Sequence, residues 1–263
     1  MKKLLIDAGN TRLKWAVLRA GCLGRTRAVE WNQRSLERAA RAVMRERVDA
    51  VLVCSVAGTA LERALRRAAR HSGNPAPQFI RSTRRAAGVR NGYVQTWRLG
   101  ADRWVAMLGA RALWPGRALC VVDVGTALTL DLLDAQGRHR GGLLTPGPAL
   151  MVDSLLSNTA GIRRRAGRSL PRRGGRPASA TGPASALFGR STRAGLLAGS
   201  ALACAALIER ALREARTELS ARPKLLLAGG GALQVSPLLR AAHQRVADLV
   251  LHGLALLAAL DTR

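Results

Sequence analysis

A short pattern written twice, 116 residues apart, constrains this chain more than any other feature. The first copy is Leu4-Leu5-Ile6-Asp7-Ala8-Gly9-Asn10-Thr11, followed by Lys14-Trp15-Ala16-Val17-Leu18. The second is Cys120-Val121-Val122-Asp123-Val124-Gly125-Thr126-Ala127, followed by Leu128-Thr129-Leu130-Asp131-Leu132-Leu133. Each reads as a buried strand ending in Asp-x-Gly-[Asn/Thr], a tight turn, and a second strand returning beside the first. Such a turn brings a carboxylate, backbone N–H groups and a hydroxyl to one point. Phosphates and their metal ions call for that set of groups.

The rest of the pattern agrees with a duplication. Residues 3–8, 14–18 and 26–31 predict antiparallel strands, 35–47 a helix with an apolar stripe, 49–56 a strand, 59–71 a helix and 78–81 a short strand. Helical spacing resumes at Asp102 and runs to Leu113, where Pro115-Gly116 breaks it. The strand programme then restarts at 118–123, 127–133 and 138–144. A helix follows at 148–157, then a basic loop from 163 to 185, and a long helix at 192–219. The strand 224–228, the turn Gly229-Gly230-Gly231 and helices at 235–243 and 249–260 complete the chain. Two β-β-β-α-β-α units result, divided as 1–117 and 118–263, with a cleft expected between them.

Size and composition fit this division. The chain has 263 residues and 48% hydrophobic content, enough for two cores, but only 3% aromatics. Its net charge is +27, and all but four of its 43 basic residues are arginine. A nucleic-acid partner is one reading of that charge. The arginines are spread over helical segments, however, and lack the interleaved aromatics of a base-stacking surface. The favoured reading is therefore a solvated basic surface that steers anionic substrates. Four separated cysteines, Cys22, Cys54, Cys120 and Cys204, read as reduced, buried packing residues. The longest apolar run, 194–208, has 15 residues, short of the ~20 a membrane span needs. A cytoplasmic protein without a membrane anchor is expected.

Particular residues carry the chemistry. Asp7 and Asp123 stand at equivalent strand ends. Neither carboxylate is cheaply buried alone, so a cation between them is reasonable. Lys14 is one of four lysines in an arginine-rich chain, which suggests a point charge at a phosphate. Asp102 stands at a helix start as an N-cap or a catalytic base. Arg103 beside it could fork onto a substrate carboxylate or pair on the surface. The triple glycine offers a backbone against which a nucleoside could lie.

Taken together, Asp7-Ala8-Gly9-Asn10-Thr11 with Lys14, Gly100-Ala101-Asp102-Arg103, Asp123-Val124-Gly125-Thr126 with Thr129 and Asp131, Gly141-Gly142, Pro146-Gly147, Thr159-Ala160 and Gly189-Arg190-Ser191-Thr192 resemble type III pantothenate kinases. These blocks span residues 4 to about 200. The resemblance implies a fold of two duplicated ribonuclease-H-like domains, with mixed five-stranded sheets flanked by helices and a nucleotide cleft between them, as in acetate and sugar kinases, heat-shock ATPases and actin. It implies ATP-dependent phosphorylation of pantothenate, the first step toward coenzyme A. Asp7, Ala8, Gly9, Asn10, Thr11, Arg12, Leu13 and Lys14 would hold the ATP phosphates and Mg2+, together with Thr126. Asp123 would bind a monovalent cation, K+ or NH4+, and Asp102 would accept the hydroxyl proton. Tyr93, Gly100, Ala101, Asp102, Arg103 and Thr192 would line the pantothenate pocket, and the protein would be a homodimer. Trp97 stands near the position where the family often has a proline. The stretch between Thr159 and Gly189 is longer and more basic than usual. A basic regulator on the same fold, and a kinase of another small alcohol, are the two alternatives.

Overall fold

The structure is a computed structural model that describes residues 1–166 and 188–260. Apart from residues 163–166, the basic loop expected at 163–185 lies outside the described residues. The chain divides into two compact units. One comprises Met1–Val121, Asp131–Gly141 and Ala247–Arg263, and the other Val122–Leu130 and Gly142–Val246.

In chain order the elements are β1 (Lys2–Ala8), β2 (Arg12–Arg19), β3 (Cys22–Leu23), β4 (Arg27–Glu30), α1 (Leu36–Val43), β5 (Ala50–Ser55), α2 (Thr59–Ser72), β6 (Gln78–Ile80), β7 (Arg85–Ala86), β8 (Val89–Arg90) and α3 (Ala101–Leu113). They continue with β9 (Leu119–Val124), β10 (Ala127–Leu133), β11 (His139–Pro146), α4 (Pro148–Asn158), α5 (Ala160–Ala166), α6 (Thr192–Leu219), β12 (Lys224–Ala228), α7 (Ala232–Val235), β13 (His243–Arg245) and α8 (Leu249–Leu260).

The first sheet is mixed. Its order is β3-β2-β1-β5-β6, and β4 adds a sixth strand beside β2. β1 pairs antiparallel with β2 and parallel with β5. The second sheet has the order β11-β10-β9-β12-β13. Both therefore run third-second-first-fourth-fifth when their strands are counted in chain order (β4 aside), which is the structural form of the duplication. The sequence pattern leads one to expect five strands in the first sheet, and β4, which pairs with β2 from Arg12 to Trp15, is the one expected at 26–31. The additional strand is the two-residue β3, which pairs with Leu18 and Arg19 at the end of β2, where only a turn is expected.

The two faces of β1 do different work, because alternate side chains point to opposite sides of a strand. Leu4, Ile6 and Ala8 join Val51 and Val53 of β5 in a core closed by Leu61 and Leu65 of α2 and Ala39, Ala40 and Val43 of α1. Burying one such Leu or Ile is worth roughly 1.5–3 kcal/mol. The opposite face carries Lys3, Leu5 and Asp7. The helices α3 and α8 cover this face, and Lys3 Nζ donates to the Ala258 carbonyl of α8. These two helices cross at Gly109 and Gly253. A Cβ at either would run into backbone of the other helix, so glycine here permits the close approach.

Several local expectations differ. Residues 163–166 continue α5 rather than opening a loop. The helix expected at 235–243 is instead the short α7, a 3-10 turn at Ser236–Leu238 and the edge strand β13. Cys22 is exposed on the β2–β3 hairpin, whereas Cys54, Cys120 and Cys204 are buried and free. Among the described helices, α6 is long and apolar enough to cross a membrane by length and composition; charged residues end the 15-residue apolar run but not the helix. Its Leu196, Ala201, Cys204, Ile208 and Leu212 are buried, and it packs on α4, α5 and α7 as a core helix does.

Candidate active site

Asp7 is the penultimate residue of β1, and the strand register fixes its neighbours. It pairs with Lys14 of β2 on one side and Cys54 of β5 on the other. Directly opposed residues project to the same face of a sheet, so Asp7, Lys14 and Cys54 share the face beneath α3 and α8. The turn between β1 and β2 closes with Gly9 N–H donating to the Arg12 carbonyl at 3.1 Å. Trp31 pins the turn from outside, donating Nε1–H to the Gly9 carbonyl at 3.0 Å and its own N–H to the Thr11 carbonyl at 3.0 Å. Ala8 and Leu13 are buried, while Asn10 and Arg12 are exposed at the tip.

Lys14 is held by a residue that the motif does not contain. Its Nζ lies 3.2 Å from Asp248 Oδ1, and Asp248 stands just before α8 with φ +56°. An Asp preceding an apolar helical run reads as a cap. Nothing in the sequence ties it to Lys14, 234 positions away.

Asp102 arrives on the first turn of α3. It is not the N-cap, because Trp104 N–H donates to the Gly100 carbonyl at 3.0 Å and the helix therefore begins one residue earlier. Glycine at 100 has a steric cause: a Cβ there would stand 2.6 Å from Asp102 Oδ1. That oxygen accepts the Arg103 N–H at 2.8 Å. Burial pushes the Asp102 carboxyl above the usual range, and Asp131 adds to the rise, against the N–H and charge of Arg103. The buried thiol of Cys54 links Asp102 to Asp7. Burial raises it well above the ordinary cysteine value, and the charges of Asp7 and then Asp102 raise it further. Both carboxylates therefore lie within electrostatic reach of one side chain.

Arg103 is buried at 6% exposure, so it does not pair on the surface. Its Nε and Nη2 fork onto Asp131 at 2.9 and 2.6 Å, and Nη1 donates to the Tyr93 hydroxyl at 2.8 Å. Burial opposes the guanidinium charge, but Asp131 and Tyr93 outweigh it and hold the group above its usual value. Tyr93 is delivered by the loop after β8, shaped by buried Asn91, whose Oδ1 accepts the Tyr93 N–H at 2.9 Å.

The second Asp-x-Gly turn belongs to the other unit. Asp123 is penultimate in β9, and Gly125 N–H donates to the Ala127 carbonyl at 3.0 Å, matching the Gly9 bond. Here glycines crowd the tip. Gly229 has φ +91°, and a Cβ on it would strike Asp123 Oδ1 and the Val124 carbonyl. Gly231 N–H donates to that carbonyl at 2.8 Å. Gly147 N–H donates to the Thr126 carbonyl at 2.9 Å, so the Pro146-Gly147 block rests on the Thr126 turn. Thr192 opens α6, capped by Ser191 Oγ accepting the Ala194 N–H at 3.1 Å. Among the described residues no group of three or more His, Cys, Asp or Glu side chains forms a metal cluster. Any cation here would rely on single carboxylates with backbone and hydroxyl oxygens, a donor set that suits Mg2+ shared with phosphates and alkali ions.

Two α/β sheets with one repeated strand order, each opening into an Asp-x-Gly turn, define the fold of the actin-like sugar and acetate kinases. Solved structures agree: a ROK family glucokinase from Streptomyces griseus in complex with glucose and AMPPNP superposes with a TM-score of 0.52 at 12% identity, covering 99% of this chain and 100% of that one. A conserved putative Baf family transcriptional activator from Campylobacter jejuni gives a TM-score of 0.58 at 18% identity over 98% of both chains. The family model of type III pantothenate kinases matches residues 3–214. A type III pantothenate kinase of Aromatoleum aromaticum is 40% identical over 266 residues, 98% of both chains. This chain belongs to the type III pantothenate kinase family, kinases with an alcohol acceptor.

Proposed function

We propose that the chain transfers the γ-phosphoryl group of ATP to the primary hydroxyl of pantothenate, with Asp102 as proton acceptor. The observation that carries this reading is the Asp102 carboxyl on the first turn of α3, raised by burial and within electrostatic reach of the same Cys54 side chain as Asp7. A carboxylate with a raised pKa is a better proton acceptor at neutral pH. Asp102 takes the hydroxyl proton while the pantothenate oxygen bonds to the γ-phosphorus and the bond to ADP breaks. The residues from Asp7 to Lys14, with Thr126, hold the phosphates. Mg2+ neutralises phosphate charge at Asp7 when bound, and phosphoryl transfer asks for little beyond such positioning and neutralisation. Asp123 holds K+ or NH4+. Tyr93, Gly100 to Arg103 and Thr192 hold pantothenate.

The same reading includes a cytoplasmic homodimer and a duplication boundary at 117/118. Sedimentation of the purified chain measures the first, and expression of 1–117 alone tests whether it folds. The function itself is tested by an acceptor panel with ATP, Mg2+ and K+. ADP release is expected with pantothenate and absent with glucose or acetate; release with one of the others and none with pantothenate overturns the assignment.

A further inference from the structure

Behind Arg103 lies a closed set of polar side chains that the phosphoryl-transfer chemistry does not use. Asp131 is 2% exposed and His139 3% exposed. Asp131 Oδ1 receives both Arg103 Nη2 at 2.6 Å and His139 Nε2 at 2.9 Å, and Oδ2 receives Arg103 Nε. On the far side of the ring, Gly92 N–H donates to His139 Nδ1 at 3.4 Å. A ring that accepts at Nδ1 is left with Nε2 as the nitrogen that donates to the carboxylate. The ring also stacks on Tyr93, with centroids 5.8 Å apart and planes inclined by 15°. Gly92 is needed for this closeness, since a Cβ there would strike the His139 backbone. Tyr93 in turn accepts from Arg103 Nη1, which closes the loop of contacts.

We infer that Asp131 and His139 are positioning residues for pantothenate, fixing the Arg103 guanidinium and the Tyr93 ring as one rigid wall. The inference rests on the assignment of Tyr93 and Arg103 to the pantothenate pocket and adds how that wall is held and what it offers. Asp131 balances the Arg103 charge and occupies its Nε–Nη2 edge. What remains is directional: the outer N–H groups of Nη1 and Nη2, whose positive charge is already compensated. Such a wall selects its ligand by hydrogen-bond geometry more than by net charge, since an acceptor in the wrong place leaves buried N–H groups unmet.

The test is saturation kinetics on the full chain carrying His139→Ala or His139→Gln, each also combined with Arg103→Lys. Gln places an amide N–H near the position of Nε2, so it keeps the bond to Asp131. Losing one hydrogen bond to a charged group corresponds to about a tenfold change. His139→Ala is therefore expected to raise KM for pantothenate about tenfold while KM for ATP stays unchanged. His139→Gln is expected to recover most of that loss. In the Arg103→Lys background the alanine change should add little, because its effect runs through Arg103. The inference is overturned if His139→Ala leaves KM for pantothenate unchanged, if it raises both KM values alike, if glutamine gives no recovery, or if the two losses multiply. Imidazole nitrogen NMR of the wild-type protein reads the tautomer independently of turnover. A proton on Nε2 is expected, and a proton on Nδ1 overturns the clamp. Wild-type protein that does not use pantothenate would instead overturn the pocket assignment, and this is seen before any variant is made.

Discussion

Asp7 faces a lysine across its own hairpin, whereas Asp123 faces a glycine that follows another strand of its sheet. The two carboxylates hold equivalent positions, each followed by a glycine whose N–H closes the turn onto a carbonyl at 3.0–3.1 Å. At the first turn a Cβ on Gly9 would meet only the Arg12 carbonyl, at 3.4 Å. Lys14, partly exposed and steered by Asp248, stands beside Asp7. At the second turn Gly229 and Gly231 press backbone against Val124, and Gly147 against Thr126. Duplication supplied two copies of one turn. The first kept room and a positive charge. The second is the one crowded by glycine backbone.

That contrast can be broken by substitution. The largest effect on stability is expected at Gly229→Ala, which combines positive φ with a clash against Asp123. Destabilisation of about 2–4 kcal/mol is expected by denaturant titration, and a loss under about 1 kcal/mol would mean that the second tip is looser than described. Lys14→Met comes next, with KM for ATP rising about tenfold as a charge-assisted phosphate contact is lost. KM for pantothenate should hold, and equal rises in both would take Lys14 away from the phosphates. Replacing K+ by Na+ should lower turnover several-fold through Asp123, and indifference to the ion would end that role.

A smaller effect concerns stability against pH. The folded Asp102 carboxyl holds its proton to higher pH than the unfolded one, so folding favours the protonated form. That advantage is complete below the unfolded value and is lost as pH rises through the folded one. Asp102→Asn should therefore raise Tm at pH 7, with the gain shrinking as pH falls into the carboxylate range; a lower Tm at pH 7 would contradict the burial described. The smallest structural effect is expected for Gly9→Ala, under about 1 kcal/mol by the same titration.

The strands bearing the two tips were legible because each is an apolar run ending in Asp-x-Gly, but their order in the two sheets came only from the pairing the fold shows. The β7–β8 hairpin was not legible, since two-residue strands carry no periodicity. β13 escaped because His243-Gln244-Arg245 is a polar edge strand supported only by pairing with Leu225 to Leu227. At the site, Gly100-x-Asp102 could be read, but its reason is space for the carboxylate rather than a cap. Asp131 carried a signal of its own: a carboxylate among Leu130, Leu132 and Leu133 must find a partner. That its partner is Arg103 depends on tertiary packing across 28 positions, which no local pattern encodes.

The central claim is that Asp102 accepts the proton of an alcohol whose phosphoryl donor is held at the Asp7 turn. Pantothenate-dependent ADP release by wild type and Asp102→Asn, measured alongside ATP binding to both, tests it most directly. The expected result is a fall in kcat of about 10²–10⁴-fold with ATP affinity nearly unchanged. Turnover retained in the variant, or ATP binding lost in step with it, would contradict the assignment.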